Sequence, residues 1–164
     1  MPKTICLDFD GVLHSYKSGW QGPRKVPDGP VPGAIDFLLD LLADDWDVAI
    51  FSARSHQFGG RRAMKRWLRS VAMDHFLGAL LKLQANDPDG VRVYEKWSKA
   101  GLCMMPEGSE EEDADCASAW LVRQLRFPLR KPPAIVTLDD RAICFDGDWP
   151  DLDTLNGFKP WNRS

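Results

Sequence analysis

The sequence predicts an α/β protein with a parallel sheet, and three observations lead there. Short apolar runs that read as strands alternate with segments whose apolar residues recur at helical spacing. Two of those runs, near opposite ends of the chain, stop at paired aspartates, Asp8/Asp10 and Asp139/Asp140. The order strand, helix, strand, helix and later strand implies right-handed crossovers. The 164 residues fit one domain, 1–164.

The first strand is Thr4-Ile5-Cys6-Leu7, continuing into Asp8-Phe9-Asp10-Gly11-Val12-Leu13. Alternate side chains of a strand share a face, so Asp8 and Asp10 start on one side with Phe9 turned away. Gly11 permits a sharp departure from strand geometry. Two carboxylates in a small space repel, and a divalent cation is the usual remedy. The pair suits a metal-assisted reaction in which one carboxylate attacks and the other handles a proton. Asp-Gly is also a common turn dipeptide.

A Gly/Pro-rich stretch from Ser18 to Pro32 reads as an irregular loop. Its Trp20, Arg24 and Lys25 could reach a phosphorylated ligand, or the stretch is ordinary surface. A helix begins near Pro32-Gly33, with Ile35, Leu38, Leu39 and Leu42 on its buried face. Val48-Ala49-Ile50-Phe51 reads as the second strand. Ser52 follows it; a hydroxyl there can donate to a phosphate oxygen or cap the next turn. Arg54 can pair bidentately with phosphate, or with a surface carboxylate.

The second helix is predicted over about Gly60 to Val71, with Met64, Trp67, Leu68 and Val71 inward. Arg61, Arg62, Lys65, Arg66 and Arg69 form a basic stripe on its other face. That stripe reads as a solvated surface, with phosphate-backbone contact as the alternative. From Leu77 to Phe127 the pattern reads as a small insertion or decoration. It holds a turn cluster at Asn86-Asp87-Pro88-Asp89-Gly90, a short strand at Val91 to Tyr94, and a capping box at Ser109-x-x-Glu112. A helix then carries Ala117, Trp120, Leu121 and Leu125 inward. The acidic run from Glu107 to Asp115 is read as a helix start rather than a metal site.

The last strand lies in Lys131-Pro132-Pro133-Ala134-Ile135-Val136-Thr137-Leu138-Asp139-Asp140. Ligands of parallel sheets bind beyond the carboxyl ends of the strands. That rule gathers Asp8, Asp10, Ser52 and Asp139/Asp140 at one edge, although they are far apart in the chain.

Asp8-Phe9-Asp10-Gly11-Val12-Leu13 resembles the first motif of the haloacid dehalogenase (HAD) superfamily, Phe51-Ser52-Ala53-Arg54-Ser55 its second, and Asp139-Asp140 its fourth. Lys131, directly before the last strand, resembles its third, with Lys96 and Lys99 as rivals. The tail, Ile143 to Pro150 and Phe158 to Asn162, is similar to the ends of small phage-like and bacterial members. The resemblance implies a three-layer Rossmann-like core with a minimal cap or none. It implies a phosphatase with Asp8 as nucleophile and Asp10 as general acid/base. Ser52 and Lys131 would complete the catalytic set, and Ser52, Ala53 and Arg54 would bind substrate. Mg²⁺ would be held by Asp8, the Asp10 carbonyl and the late aspartates, Asp139 in direct contact and Asp140 through a water, with Asp146 an outside candidate. The implied substrate is a phosphorylated small molecule such as a nucleotide or metabolite. A phosphorylated nucleic-acid end is the rival, and a non-catalytic phosphoryl- or metal-binding module is the other class.

A net charge of −3 argues against a dedicated nucleic-acid binder. No apolar run approaches the roughly 20 residues of a membrane helix. Met1-Pro2-Lys3-Thr4 has no signal-peptide layout, so a cytoplasmic protein is expected. Cys6, Cys103, Cys116 and Cys144 form no CxxC pair, which disfavours zinc. Cys6 and Cys144 are expected to be buried thiols.

Overall fold

A computed structural model of the chain describes residues 3–102, 108–144 and 147–163. Its sheet is parallel, with strands β1 (Thr4–Leu7), β2 (Asp47–Ile50) and β3 (Val136–Leu138) in the order β2-β1-β3. Thr4 lies opposite Asp47 and Leu7 opposite Ile50; on the other side Ile5 meets Val136 and Leu7 meets Leu138. β1 is therefore central, and all its residues are buried. Because the strands are parallel, residues 8, 51 and 139 all leave the sheet at the same edge. That edge is where the carboxylates gather.

Helix α1 (Ala34–Ala43) follows the expected periodicity, burying Ile35, Leu38 and Leu39. It starts at Gly33, whose φ of 81° suits a residue without Cβ. Helix α2 (Gly60–Gln84) is twice the length its sequence pattern predicts. Its inward face continues past Val71 through Ala72, Phe76, Ala79 and Leu80, and no proline interrupts it.

Val91 to Tyr94 is not a strand; it lies inside helix α3 (Pro88–Lys99). The turn cluster before it is a helix start. The Asp87 side chain accepts from the Asp89 amide, and Pro88 occupies the first turn, where its missing N–H costs nothing. Val93 and Trp97 then fall one turn apart on the buried face. Helix α4 (Glu110–Gln124) opens with the predicted capping box, Ser109 and Glu112 each closing the other's backbone donor.

The 77–127 segment does not stand apart from the core. Val93, Trp97, Ala117, Leu121, Leu125 and Phe127 join Leu7, Phe9, Leu38 and Ile50 in one buried cluster. Arg126 also extends the sheet: its amide donates to the Val48 carbonyl at 2.9 Å and its carbonyl accepts from Ile50 at 2.8 Å.

The basic stripe on α2 is partly spent within the fold. Arg69 pairs with Asp115 of α4 at 2.7 Å, and Lys65 lies 5.1 Å from the Phe127 ring centre. Arg61 donates to the Phe127 carbonyl at 3.4 Å.

β3 differs from its neighbours. All three of its residues are exposed, and since successive side chains point to opposite faces, neither face of this strand is covered among the described residues. The segments after it are also open: helix α5 (Leu152–Gly157) buries no residue. Cys144 lies here and is exposed rather than buried, while Cys6 on the central strand is buried as expected. Asp146, Cys103 and Glu107 lie outside the described residues. No described helix is long and apolar enough to cross a membrane.

Candidate active site

Asp8 directly follows β1, and its Oδ1 accepts from the Phe9 amide at 2.7 Å. Phe9 turns into the core and is fully buried, which fixes the direction of its neighbours. One oxygen each from Asp8, Asp139 and Asp140 lies within 4.8 Å of the others. Burial pushes the Asp8 carboxyl up to about 7; the Phe9 hydrogen bond opposes this, and Asp139, Asp10 and Asp140 add to it. Asp139 is exposed and accepts from the Arg141 amide at 2.9 Å. Asp140 is the buried member, and neither of its carboxylate oxygens has a hydrogen-bond partner. Its proton affinity is raised by burial and by Asp139, against the pull of Arg141.

Gly11 makes this packing possible. Its φ is 93°, and a Cβ on it would sit 2.3 Å from Asp140 Oδ2. Both the left-handed backbone and the missing side chain are required here. The Gly11 carbonyl accepts from Trp161 Nε1 at 2.8 Å, tying the tail to this turn.

Asp10 has a different environment from Asp8. Arg54 Nε donates to its Oδ2 at 2.7 Å and Nη2 to its Oδ1 at 3.1 Å. His14 Nδ1 meets Oδ1 at 2.8 Å. The Asp28 amide donates to His14 Nε2 at 3.1 Å, so the ring proton sits on Nδ1 and points at Asp10. Burial pushes the Asp10 carboxyl up, but the His14 and Arg54 hydrogen bonds and the Arg54 charge outweigh it and hold it below the usual carboxylate range. With its oxygens so occupied, the Asp10 side chain stands outside the acidic triad.

Arg54 does not face the cleft. It is fully buried, and its Nη1 donates to the carbonyls of Gly22, Pro23 and Lys25 at 2.9, 3.1 and 2.8 Å. A guanidinium satisfied in this way anchors the Gly/Pro-rich loop and neutralises Asp10, which is a different task from binding substrate.

Ser52 is buried, and its Oγ accepts from the Arg54 amide at 3.3 Å. It therefore caps the turn and still has a hydroxyl proton to donate. Lys131 lines the same place. A recess of about 110 Å³ is lined by Cys6, Asp8, Ser52, Ala53, Lys131, Thr137 and Asp139, among others. The rival Lys96 is engaged elsewhere, with Asp40 of α1 at 2.8 Å.

A second cleft, about 350 Å³ in volume, opens over Asp8 and Asp10 and is walled by Tyr16, Trp20, Ser52, Ala53, Gln57 and Arg141. Sequence reasoning missed Tyr16, Gln57, Arg141 and the buried His14. Arg141 follows the second aspartate pair directly, and His14 lies four residues after Asp10; that proximity was the available signal. Arg141 is the guanidinium this cleft presents, stacked 5.5 Å from the Tyr16 ring centre.

Comparison with protein-family models, curated proteins and solved structures finds no match for this chain.

Proposed function

We propose that this protein is a magnesium-dependent phosphomonoester hydrolase of the haloacid dehalogenase type, built on a Rossmann-like core with little or no cap. One observation carries the reading: Asp8, Ser52 and the pair Lys131 and Asp139, from three distant parts of the chain, line one recess at the carboxyl edge of a parallel sheet. The buried oxygens of Asp140 beside it accept no hydrogen bond and have Arg141 Nε at 3.8 Å as an ion-pair partner; they fit a cation, because buried carboxylates without hydrogen bonds are costly. Asp8, Asp139 and Asp140 would hold Mg²⁺, with the Asp10 main chain a further donor. The ion supplies charge neutralisation for phosphoryl oxygens.

In this reading Asp8 attacks phosphorus and carries the phosphoryl group as an acyl phosphate. The Ser52 hydroxyl and the Lys131 ammonium hydrogen-bond the equatorial oxygens, where negative charge concentrates. Asp10 donates a proton to the leaving oxygen and then takes one from the attacking water. As found it is a carboxylate surrounded by donors, which suits the second of these steps. For the first, it takes up a proton from solvent as one of those donors is displaced, and passes that proton to the leaving oxygen.

That pairing of Asp10 with Arg54 and His14 also favours a second reading, a module that binds phosphoryl groups and metal without turnover. Phosphate release with and without Mg²⁺, across nucleotides, sugar phosphates and end-phosphorylated oligonucleotides, separates the two. Mg²⁺-dependent release that Asp8→Asn abolishes supports the hydrolase. Mg²⁺ binding with no release from any member of the panel supports the binding module.

A further inference from the structure

The larger cleft has a wall that the hydrolase chemistry does not use. Trp20 lines it, and the Arg54 guanidinium carbon lies 4.6 Å from the indole centre. The same guanidinium holds the carbonyls of Gly22, Pro23 and Lys25, two to five residues further along the loop. A single buried arginine thus meets the Trp20 ring and also holds the loop just beyond it. Trp20 nevertheless remains 45% exposed. An indole held this firmly without being buried is a preorganised aromatic surface, and rigid aromatic side chains give contact area at low entropic cost. Gln57 stands on the same wall, its amide nitrogen donating to the Ala53 carbonyl at 2.9 Å. Its orientation is therefore set, and its oxygen is the acceptor it offers to a ligand. The cleft volume of about 350 Å³ lies at the small end for ligand sites, enough for a phosphate and one ring system.

Resting on the phosphomonoester reading, we infer that Trp20 selects substrates whose leaving group carries a planar ring, which lies on the indole face that Arg54 does not cover while the phosphate sits at Asp8. The Arg54 cation behind the indole keeps that residue in place, and Gln57 meets the polar edge of the ring. A planar ring gains dispersion and quadrupole contact on indole that a puckered ring of equal size does not.

Benzyl phosphate and cyclohexylmethyl phosphate test this, since both release a primary alcohol and differ chiefly in ring planarity. KM is measured for each with Mg²⁺, using wild type, Trp20→Leu and Trp20→Phe. The expected result is a KM about three- to tenfold lower for benzyl phosphate, from the usual worth of an aromatic pair. Trp20→Leu should bring the two KM values together, and Trp20→Phe should keep them apart. Equal KM values in wild type, or a preference that survives in Trp20→Leu, overturn the role of Trp20 and leave the hydrolase standing. Failure of wild type to hydrolyse either ester overturns this inference, and the hydrolase reading falls with it only where nucleotides, sugar phosphates and end-phosphorylated oligonucleotides also release no phosphate.

Discussion

Arg54 grips Asp10 with two nitrogens, Nε on one carboxylate oxygen at 2.7 Å and Nη2 on the other at 3.1 Å. The arginine is fully buried and the aspartate nearly so. The pair joins the end of β1 to the turn after β2, and through Nη1 it also joins both to the loop at residues 22–25. The edge of the sheet is therefore cross-braced by one ion pair beneath the cleft.

Removing one partner of a buried pair leaves the other charge uncompensated. Arg54→Ala should destabilise the protein by about 3–5 kcal/mol, read as a lower midpoint in urea denaturation. Arg54→Lys should recover only part of this, because an ammonium cannot reproduce the fork that spans Asp10 and the loop carbonyls. A loss below about 1 kcal/mol for Arg54→Ala would mean that solvent reaches the pair.

Gly11→Ala addresses the packing between the first turn and the second aspartate pair. The added Cβ would lie 2.3 Å from Asp140 Oδ2, on a backbone with φ of 93°. The strained backbone alone costs about 1–2 kcal/mol, and Asp140 has to move. Calorimetry should show a lower melting temperature and weaker Mg²⁺ binding together. Normal Mg²⁺ affinity in this variant would detach Asp140 from the metal site.

The parts of this architecture that were legible in the sequence are those with a local signature. β1, α1 and β2 follow from periodicity, and Ser109 with Glu112 announces the start of α4. The gathering of Asp8, Ser52 and Asp139 follows from one topological rule about strand ends. What escaped depended on distant partners. Asp87-Pro88 serves equally as a turn or a helix cap, and only the packing of Val93 and Trp97 into the core decides between them. Arg54 read as a substrate ligand or a surface ion pair because guanidinium pairs bidentately with phosphate or carboxylate, and full burial of an arginine is rare. Its partners lie in an aperiodic loop 29 to 32 residues away in sequence, which no spacing rule reveals. The β-branched run at residues 135–137 signals a strand but not whether its faces are covered.

Trp161 reaches across 150 residues of sequence to donate to the Gly11 carbonyl at 2.8 Å. Trp161→Phe keeps the ring and deletes the donor. The expected loss is about 0.5–1.5 kcal/mol, a small drop in melting temperature. Because the bond falls on the turn after Asp10, phosphate release should slow by more than that drop accounts for at 25 °C. A variant with an altered melting temperature and unchanged kcat would make the contact purely structural.

Asp8 gives a pH dependence of stability whose direction is fixed. In the metal-free protein its carboxyl titrates near 7, against an ordinary value of 3.8. Between those values the folded protein holds a proton that the unfolded chain has released. Stability from this group is fully present below about pH 4 and is lost as pH rises through 7. Asp140, also shifted upward, acts in the same direction. Asp10 is shifted downward, so its own contribution changes only at lower pH. In EDTA, the melting temperature of wild type should therefore fall relative to that of Asp8→Asn between pH 4 and 7. Adding Mg²⁺ above pH 7 should restore wild type and not the variant, since a bound cation favours the ionised carboxylate. Parallel pH curves for the two proteins in EDTA would show that Asp8 is ordinary in its acidity and that the three carboxylates do not crowd one another.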